Sequence, residues 1–128
     1  MGYRSNLYFK CTNDALPELY TTLQQAELAN NIQDMMQDSS YTTFTMFDLK
    51  WYDSYPDVQL VNTKLAELGE HDKATMIREG EESGDIETYG AEPHYLDLSY
   101  WTSLELDGFG NGDDALPILR NSHPELFI

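Results

Sequence analysis

The sequence has few basic residues, and this shortage limits the partners that the protein can have. Only 7 of its 128 residues are Lys or Arg, against 23 Asp and Glu, so the formal net charge is −16. Direct binding to DNA or RNA needs clustered positive charge that displaces phosphate counterions, and adsorption to anionic lipid needs the same. We therefore expect neither nucleic acid nor a membrane as a direct partner.

Cysteine and long apolar runs are also scarce. No run approaches the ~20 apolar residues of a membrane span, and the N-terminal segment lacks the apolar region and cleavage site of a signal peptide. The one cysteine, Cys11, cannot form an internal disulfide and alternates with apolar residues, which favours a core thiol over a nucleophile. These features favour a cytoplasmic protein.

Motifs of catalysis and metal binding are missing as well. The chain has no HExxH, Walker A, G-x-S-x-G or G-x-G-x-x-G pattern. His94 and Asp97, three apart on a predicted strand, would point to opposite faces of it. Residues 107–118 match a calcium loop in part, but Phe109 and Ile118 stand where that loop needs oxygen ligands, so only an irregular cation site stays an alternative. We predict a protein without cofactor, metal or enzymatic activity.

The apolar content of the chain is sufficient for a folded core. The apolar fraction is 41%, and nine Tyr, five Phe and two Trp supply the aromatic residues that disordered acidic tails lack. The length predicts one domain over residues 1–128. Within it, residues 107–128 are expected to form a peripheral loop and a short C-terminal helix.

The first half of the chain predicts two strands and a helix. Alternation over residues 5–12 predicts a strand, followed by a helix with its N-cap at residues 13–14 and Pro17 in its first turn. The inner face of this helix carries an apolar stripe: Leu16, Leu19, Leu23 and Ala26. Within residues 32–36, the apolar residues Ile32, Met35 and Met36 have helical spacing and predict either a last turn of this helix or a separate short helix. Residues 41–52 are rich in β-branched and aromatic types and predict a long strand.

The second half predicts a helix and three strands. A capping box at residues 54–57 begins the helix, and Gly69 ends it. Its buried stripe is Val58, Val61, Leu65 and Leu68. Residues 74–79 and 85–89 predict a hairpin, and residues 94–106 alternate as a strand should. The order β-α-β-α-β-β-β predicts an α+β fold, with two helices packed on one face of a mostly antiparallel sheet.

The negative charge is concentrated in one part of the chain. Residues 79–119 contain eleven carboxylates and no Lys or Arg, whereas the other 87 residues carry twelve acidic and seven basic side chains. Residues 79–119 therefore account for −11 of the −16. One interpretation is a solvated face that only keeps the domain soluble. Adaptation to high salt is another, although it should spread acidic residues over the whole surface.

The more specific hypothesis is that the acidic surface imitates a nucleic-acid backbone. At one charge per ~1.7 Å of duplex axis, eleven carboxylates match roughly 19 Å of DNA. Such a protein would occupy the basic groove of an enzyme that binds DNA or RNA and would exclude the true ligand. An acidic contact face for some other basic partner is an alternative. Tyr95 and Trp101 would be anchors of the interface, or core residues if a helix or the N-terminal segment covers them. The predicted contact residues are Glu79, Glu81, Glu82, Asp85, Glu87, Glu92, Tyr95, Asp97, Trp101 and Glu105.

Two other classes of function stay open. An enzyme or small-ligand protein would hold a pocket between the helices and the sheet, and its first candidate residues would be Asp48, Trp51, Tyr52 and Asp53. A virion or assembly component would present a large apolar self-interface. We expect a monomer or a homodimer.

Three segments of the chain resemble one protein family. They are MGYRSNLYF, LKWYDSYPDV and IREGEESGDIETYG, which together span most of residues 1–90. They resemble a family of small acidic proteins of bacteriophages and prophages, and Trp51–Val58 is the most specific element. The resemblance implies a setting in the host bacterial cytoplasm and an inhibitor of restriction, CRISPR, nuclease or polymerase proteins. It brings no catalytic residues with it.

Overall fold

The structure, a computed structural model, describes residues 3–82 and 84–96. The strands in this part are β1 (Ser5–Thr12), β2 (Ile32–Gln37), β3 (Tyr41–Leu49), β4 (Ala74–Gly80) and β5 (Ile86–Gly90). The helices are α1 (Leu16–Gln25) and α2 (Pro56–Gly69), with short 3-10 turns at Ala29–Asn31 and Pro93–Leu96. None of these helices combines the length and the apolar character that a membrane crossing requires.

The five strands form one antiparallel sheet in the order β2-β3-β1-β4-β5. The buried side chains of α1 and α2 join the same core cluster as Leu7, Phe9 and Cys11 of β1, so both helices cover one face of the sheet. The predicted α+β fold is therefore confirmed. From β1 to β4 the element and sheet orders are those of the ferredoxin-like, or split βαβ, motif, and β5 is added at the edge.

The core between the sheet and the helices is built on β1. Phe9 of β1 stacks on Phe44 of β3, with ring centroids 4.7 Å apart and planes 9° from parallel. Both rings are buried, together with the predicted stripes of α1 and α2. Cys11 is fully buried, and burial, followed by the charge of Asp14, raises the pKa of its thiol to about 12. The prediction of a core thiol is confirmed, because so high a pKa leaves no reactive thiolate at neutral pH.

The opposite face of the sheet carries a second, smaller cluster. Tyr8 of β1 and Ile77 of β4 are buried there, and Phe47 of β3 packs edge-on to Tyr8 at 5.9 Å between ring centroids. Lys10 lies on the same face, with its Nζ 5.0 Å from the centroid of the Tyr41 ring. The second face of β1 is therefore mixed, because it holds the ring of Tyr8 as well as the charged side chain of Lys10.

The prediction of a helical turn at residues 32–36 is wrong. This segment forms the edge strand β2, which pairs with β3. The register shifts between Ile32 and Asp34, and this irregularity brings Ile32 and Met35 onto the same buried face despite their spacing of three. A spacing of three imitates helical periodicity, which explains the error.

The predicted N-caps are also wrong. The N-cap positions are Ala15 and Tyr55, and neither makes a side-chain capping hydrogen bond. The Asn13 carboxamide instead donates to the Asp38 carbonyl at 3.0 Å, and Asp14 pairs with Lys73 at 3.2 Å. Pro17 does occupy the first turn of α1, as predicted. At α1 these local side chains contact other elements, so that helix begins without a side-chain cap.

The remaining strand predictions agree with the structure only in part. The strand predicted for residues 41–52 ends at Leu49, and the observed order gains β2 between α1 and β3. The hairpin of β4 and β5 is confirmed. The strand predicted for residues 94–106 does not begin at residue 94, because Pro93–Leu96 is a 3-10 turn. Its remainder, like the loop and helix predicted for residues 107–128, lies outside the described residues.

Gly69 is the last residue of α2, as predicted, and a close contact rather than a left-handed backbone conformation requires glycine there. A Cβ at this position would lie 2.5 Å from the Ala91 nitrogen and 2.6 Å from the Gly90 carbonyl carbon. Alanine normally favours a helix over glycine by roughly 1 kcal/mol. We expect Gly69→Ala to lower the free energy of unfolding by about 1–3 kcal/mol, because backbone must move to admit the methyl group. Urea denaturation would measure this, and a stabilised variant would contradict the close contact.

Candidate functional site

The described part of the predicted acidic surface lies around the β4–β5 hairpin. Glu79 and Glu87 are on its strands, and Glu81, Glu82 and Asp85 are in the connection between them. Glu81 and Glu82 are exposed, whereas Asp85 is half-buried and turns back towards the sheet. At the end of the hairpin, the carboxylates of Glu81 and Glu82 therefore face solvent, whereas that of Asp85 contacts the protein itself.

Arg78 of β4 is the centre of the inward contacts. Its side chain is only 7% exposed and lies at the end of the helix-covered face, opposite Glu87 in the pairing of β4 with β5. The guanidinium donates to Asp85 Oδ1 at 2.7 Å and to Glu87 Oε1 at 2.9 Å through Nε, with a second, shorter contact to Glu87 through Nη2. Nη1 donates to Ser5 Oγ at 2.9 Å. One buried cation therefore links β1, β4, β5 and the hairpin connection.

The pKa values follow from this arrangement. Burial alone would lower the pKa of Arg78, but its hydrogen bonds and charge interactions with Asp85 and Glu87 outweigh burial, and the pKa is raised. The pKa of Asp85 is lowered, mainly by the hydrogen bond from Arg78 and then by the one from Tyr3. Both groups are therefore charged at neutral pH, and their attraction favours the folded hairpin.

Tyr3 ties the N-terminal segment to the same connection. Its hydroxyl donates to Asp85 Oδ2 at 2.5 Å and accepts the Glu82 backbone N–H at 3.0 Å. Its own backbone N–H donates to Tyr52 Oη at 2.6 Å. Gly80 lies directly beneath, where a Cβ would overlap the Asp85 carboxylate and the Tyr3 ring. The position of Glu82 is thus fixed by a side chain from a distant part of the sequence.

The other predicted contact residues are spread more widely. Glu79 lies on the opposite face of the sheet, where its Oε1 accepts the Tyr8 hydroxyl at 3.2 Å. Glu92 is exposed, and Tyr95 is 60% exposed. Asp97, Trp101 and Glu105 lie outside the described residues. The structure brings together Glu81, Glu82, Asp85 and Glu87, and it gives the last two an internal ion partner.

The residues suggested for a small-ligand pocket do not converge. Trp51 is buried in the main core, and its indole N–H has no hydrogen-bond partner among the described residues. Asp48 is an exposed residue with φ of 62°, at the point where the pairing of β1 with β3 changes register. Tyr52 binds Tyr3, and the carbonyl of Asp53 accepts a hydrogen bond from Gln59 at 2.9 Å. These four residues mainly support the fold.

Metal ligands are also not assembled in the described part of the chain. Across residues 3–82 and 84–96, no group of three or more His, Cys, Asp or Glu side chains is placed to hold a metal ion. The inward carboxylates of the hairpin, Asp85 and Glu87, form ion pairs with the Arg78 guanidinium.

Sequence reasoning missed Arg78, Tyr3 and Ser5 as parts of this site. Arg78 was visible as the last basic residue before the acidic stretch. Its role needs the hairpin register, which places it opposite Glu87. Tyr3 and Ser5 need the pairing of β1 with β4, which joins residues more than seventy positions apart. No local pattern carries that pairing.

The fold and the site together define an α+β domain with an acidic hairpin that is held by internal ion pairs. No family model, curated protein or solved structure matches the chain.

Proposed function

We propose that this protein is a phage-derived binding protein that inhibits a host protein of nucleic-acid metabolism or defence by nucleic-acid mimicry. Its acidic hairpin would enter the basic groove of the target and exclude the nucleic acid. The observation that carries the proposal is the exposure of Glu81 and Glu82 at the end of a hairpin fixed by Arg78 and Tyr3. A binding protein of this kind needs no cofactor.

The fixed position of the acidic residues supports this proposal. Binding loses part of its free energy when flexible side chains and loops must be ordered, at about 0.5–1.5 kcal/mol for each long side chain. The hydrogen bond from the Glu82 N–H to Tyr3 and the ion pair of Arg78 with Asp85 hold the backbone at Glu82 and the side chain of Asp85 before any partner arrives. Exposed charges held in advance also steer a basic partner towards them.

The geometry also reduces the number of carboxylates that a partner can meet at this site. Reversing the charge of Asp85 or Glu87 would place a second cation beside buried Arg78 and disturb the fold. Glu81 and Glu82 are exposed, so their side chains can be changed without that effect. A decisive experiment should alter these two and leave the ion-paired carboxylates in place.

We expect Glu81→Gln with Glu82→Gln to weaken binding to the target by about tenfold, at about 0.5–1 kcal/mol for each lost charge pair. The tagged wild-type chain would first capture its target from a bacterial lysate at low salt. The target should be a nucleic-acid-binding protein, released by high salt and displaced by its own nucleic acid. Calorimetry with the purified target then compares the variants.

The matched control is Glu70→Gln with Asp72→Asn, two exposed acids beyond the end of α2, at the other end of β4 from the hairpin connection. This variant removes the same net charge and should bind as the wild type does. Equal weakening by both variants would mean that net charge alone acts, and a target that nucleic acid does not displace would exclude mimicry. Capture of no partner at all would leave the acidic surface with a solubilising role only.

A further inference from the structure

A groove runs along the outer side of the helical layer, between α1 and α2. It has two adjoining parts of about 560 Å³ and 420 Å³, which share Gln25 and Leu60. The first part extends from there to Pro17 and Glu67, and the second extends to Glu27 and Pro56. None of the lining residues belongs to β4, β5 or the hairpin connection, so this surface is distinct from the acidic site.

The length of the groove follows from the helices that form its walls. On α1 it runs from Pro17 to Gln25, and on α2 from Pro56 to Glu67. At 1.5 Å per residue these walls are about 12–16 Å long. Lys64 reaches across to Glu18 at 3.0 Å, so the start of α1 faces the later part of α2 and the helices run antiparallel. This length suits two to three turns of a third helix packed against the pair.

The floor of the groove is apolar at its centre. Leu60 is 40% exposed and lines both parts, whereas the neighbouring stripe residues Val58 and Val61 point into the core. Pro17 and Pro56 lie at either side of it, and Thr21 adds a methyl group. An exposed leucine at the middle of a concave surface is the kind of contact that an apolar anchor fills.

The rim of the groove is negatively charged. Glu18 and Glu67 stand at one end and Glu27 and Asp57 at the other, and among the described lining residues Lys64 is the one cation. Lys64 is already held by Glu18 at 3.0 Å and by Glu67 at 2.9 Å, and these contacts raise its pKa. The remaining negative charge is therefore one unit beside Lys64 and two units at Glu27 and Asp57, so the complementary partner is positive, most strongly at the second end.

We propose that this groove binds an amphipathic, basic helix of a partner protein, with its apolar face on Leu60 and its Lys or Arg side chains beside the acidic rim. This is the helix-in-groove mode of recognition. We infer a helical partner because the groove is lined by α1 and α2 side by side and has the length of two to three helical turns. The inference does not depend on nucleic-acid mimicry, because the hairpin contributes nothing to it.

The test uses an amidated peptide of about 14 residues, with leucines at helical spacing on one face and lysines elsewhere. We expect amide signals of α1 and α2 to shift in NMR titrations. Leu60→Glu should weaken binding at least about tenfold because the apolar anchor is lost. It does so even though it adds a negative charge that attracts the lysines. Leu60 is exposed, and circular dichroism would verify that the variant is folded.

The matched control is Ile86→Glu, which makes the same change of type at a residue that is 44% exposed on β5. This variant should bind the peptide as the wild type does. If Glu81→Gln with Glu82→Gln weakens binding more than Leu60→Glu does, the peptide binds at the hairpin and the proposal is overturned. Equal binding of a peptide with glutamates in place of the lysines, or no binding of the basic peptide, would also overturn it.

Discussion

Replacing Arg78 by methionine is expected to lower the free energy of unfolding by about 3 kcal/mol, the lower end of the cost of breaking a buried ion pair. Methionine fills much of the space of the arginine stem but cannot donate to Asp85, Glu87 or Ser5. The lower end applies because the two carboxylates are partly exposed and can regain water. Chemical denaturation at neutral pH measures this loss.

The same variant should show a distinctive dependence on pH. The pKa of Asp85 is lowered in the folded protein, so its stabilising effect is present above about 3.9, the pKa of an unfolded Asp, and is lost as the pH falls through the lowered value. Without Arg78, Asp85 loses the hydrogen bond that is the main cause of its lowered pKa. The difference in stability between wild type and variant should therefore become smaller below about pH 4.

Arg4→Met is the control for this experiment. Arg4 makes a long ion pair with Asp48, at 3.9 Å, and their side chains are 41% and 80% exposed. Solvent screening leaves such a pair worth less than about 0.5 kcal/mol, so the variant should be close to wild type. A loss for Arg78→Met as small as that for Arg4→Met would show that the network around Arg78 does not hold the hairpin.

Replacing Phe9 by alanine should cost about 4 kcal/mol, within the range measured for large buried aromatics. Phe9 is in the central strand, is fully buried and stacks on Phe44, so the cavity opens between the sheet and both helices. A domain has a total stability of about 5–15 kcal/mol, so this loss is roughly a quarter or more of the whole. Thermal denaturation followed by circular dichroism would detect this as a large fall in midpoint.

Phe47→Ala makes the same substitution on the other face of the sheet. Phe47 is half-buried and contacts Tyr8 edge-on, so we expect a loss of about 1 kcal/mol. The comparison measures how unequally the two faces contribute to stability. Similar losses at both positions would mean that the cluster around Tyr8 is a second core of equal weight.

The fold was predictable from the sequence wherever the apolar residues of an element keep the spacing of one type of secondary structure throughout. Strand β1 alternates over its whole length, and α2 keeps its apolar spacing from Val58 to Leu68, so both were predicted within a few residues. Strand β2 was not, because its irregular register gives Ile32 and Met35 a helical spacing. Capping failed for a related reason, since Asn13 and Asp14 bind distant partners.

The candidate site was predictable in composition but not in arrangement. The excess of carboxylates after Arg78 is evident in the sequence, and the hairpin that carries them follows from the turn residues. The division between outward Glu81 and Glu82 and inward Asp85 and Glu87 depends on Arg78 and Tyr3. Those contacts connect β1 to the hairpin, and such long-range pairing leaves no local signal.

The place of β1 in the middle of the sheet sets the timing of folding during synthesis. The strand is made early, yet Ser5 pairs with Leu49 on one side and with Gly80 on the other. The β2–β3 and β4–β5 hairpins are local and can close within about 1–10 μs. One edge of β1, with its unpaired backbone N–H and C=O groups, stays open until residue 80 has left the ribosome. Its long-range closures should limit the folding rate, and the nascent chain is most exposed to aggregation and to chaperones in that interval.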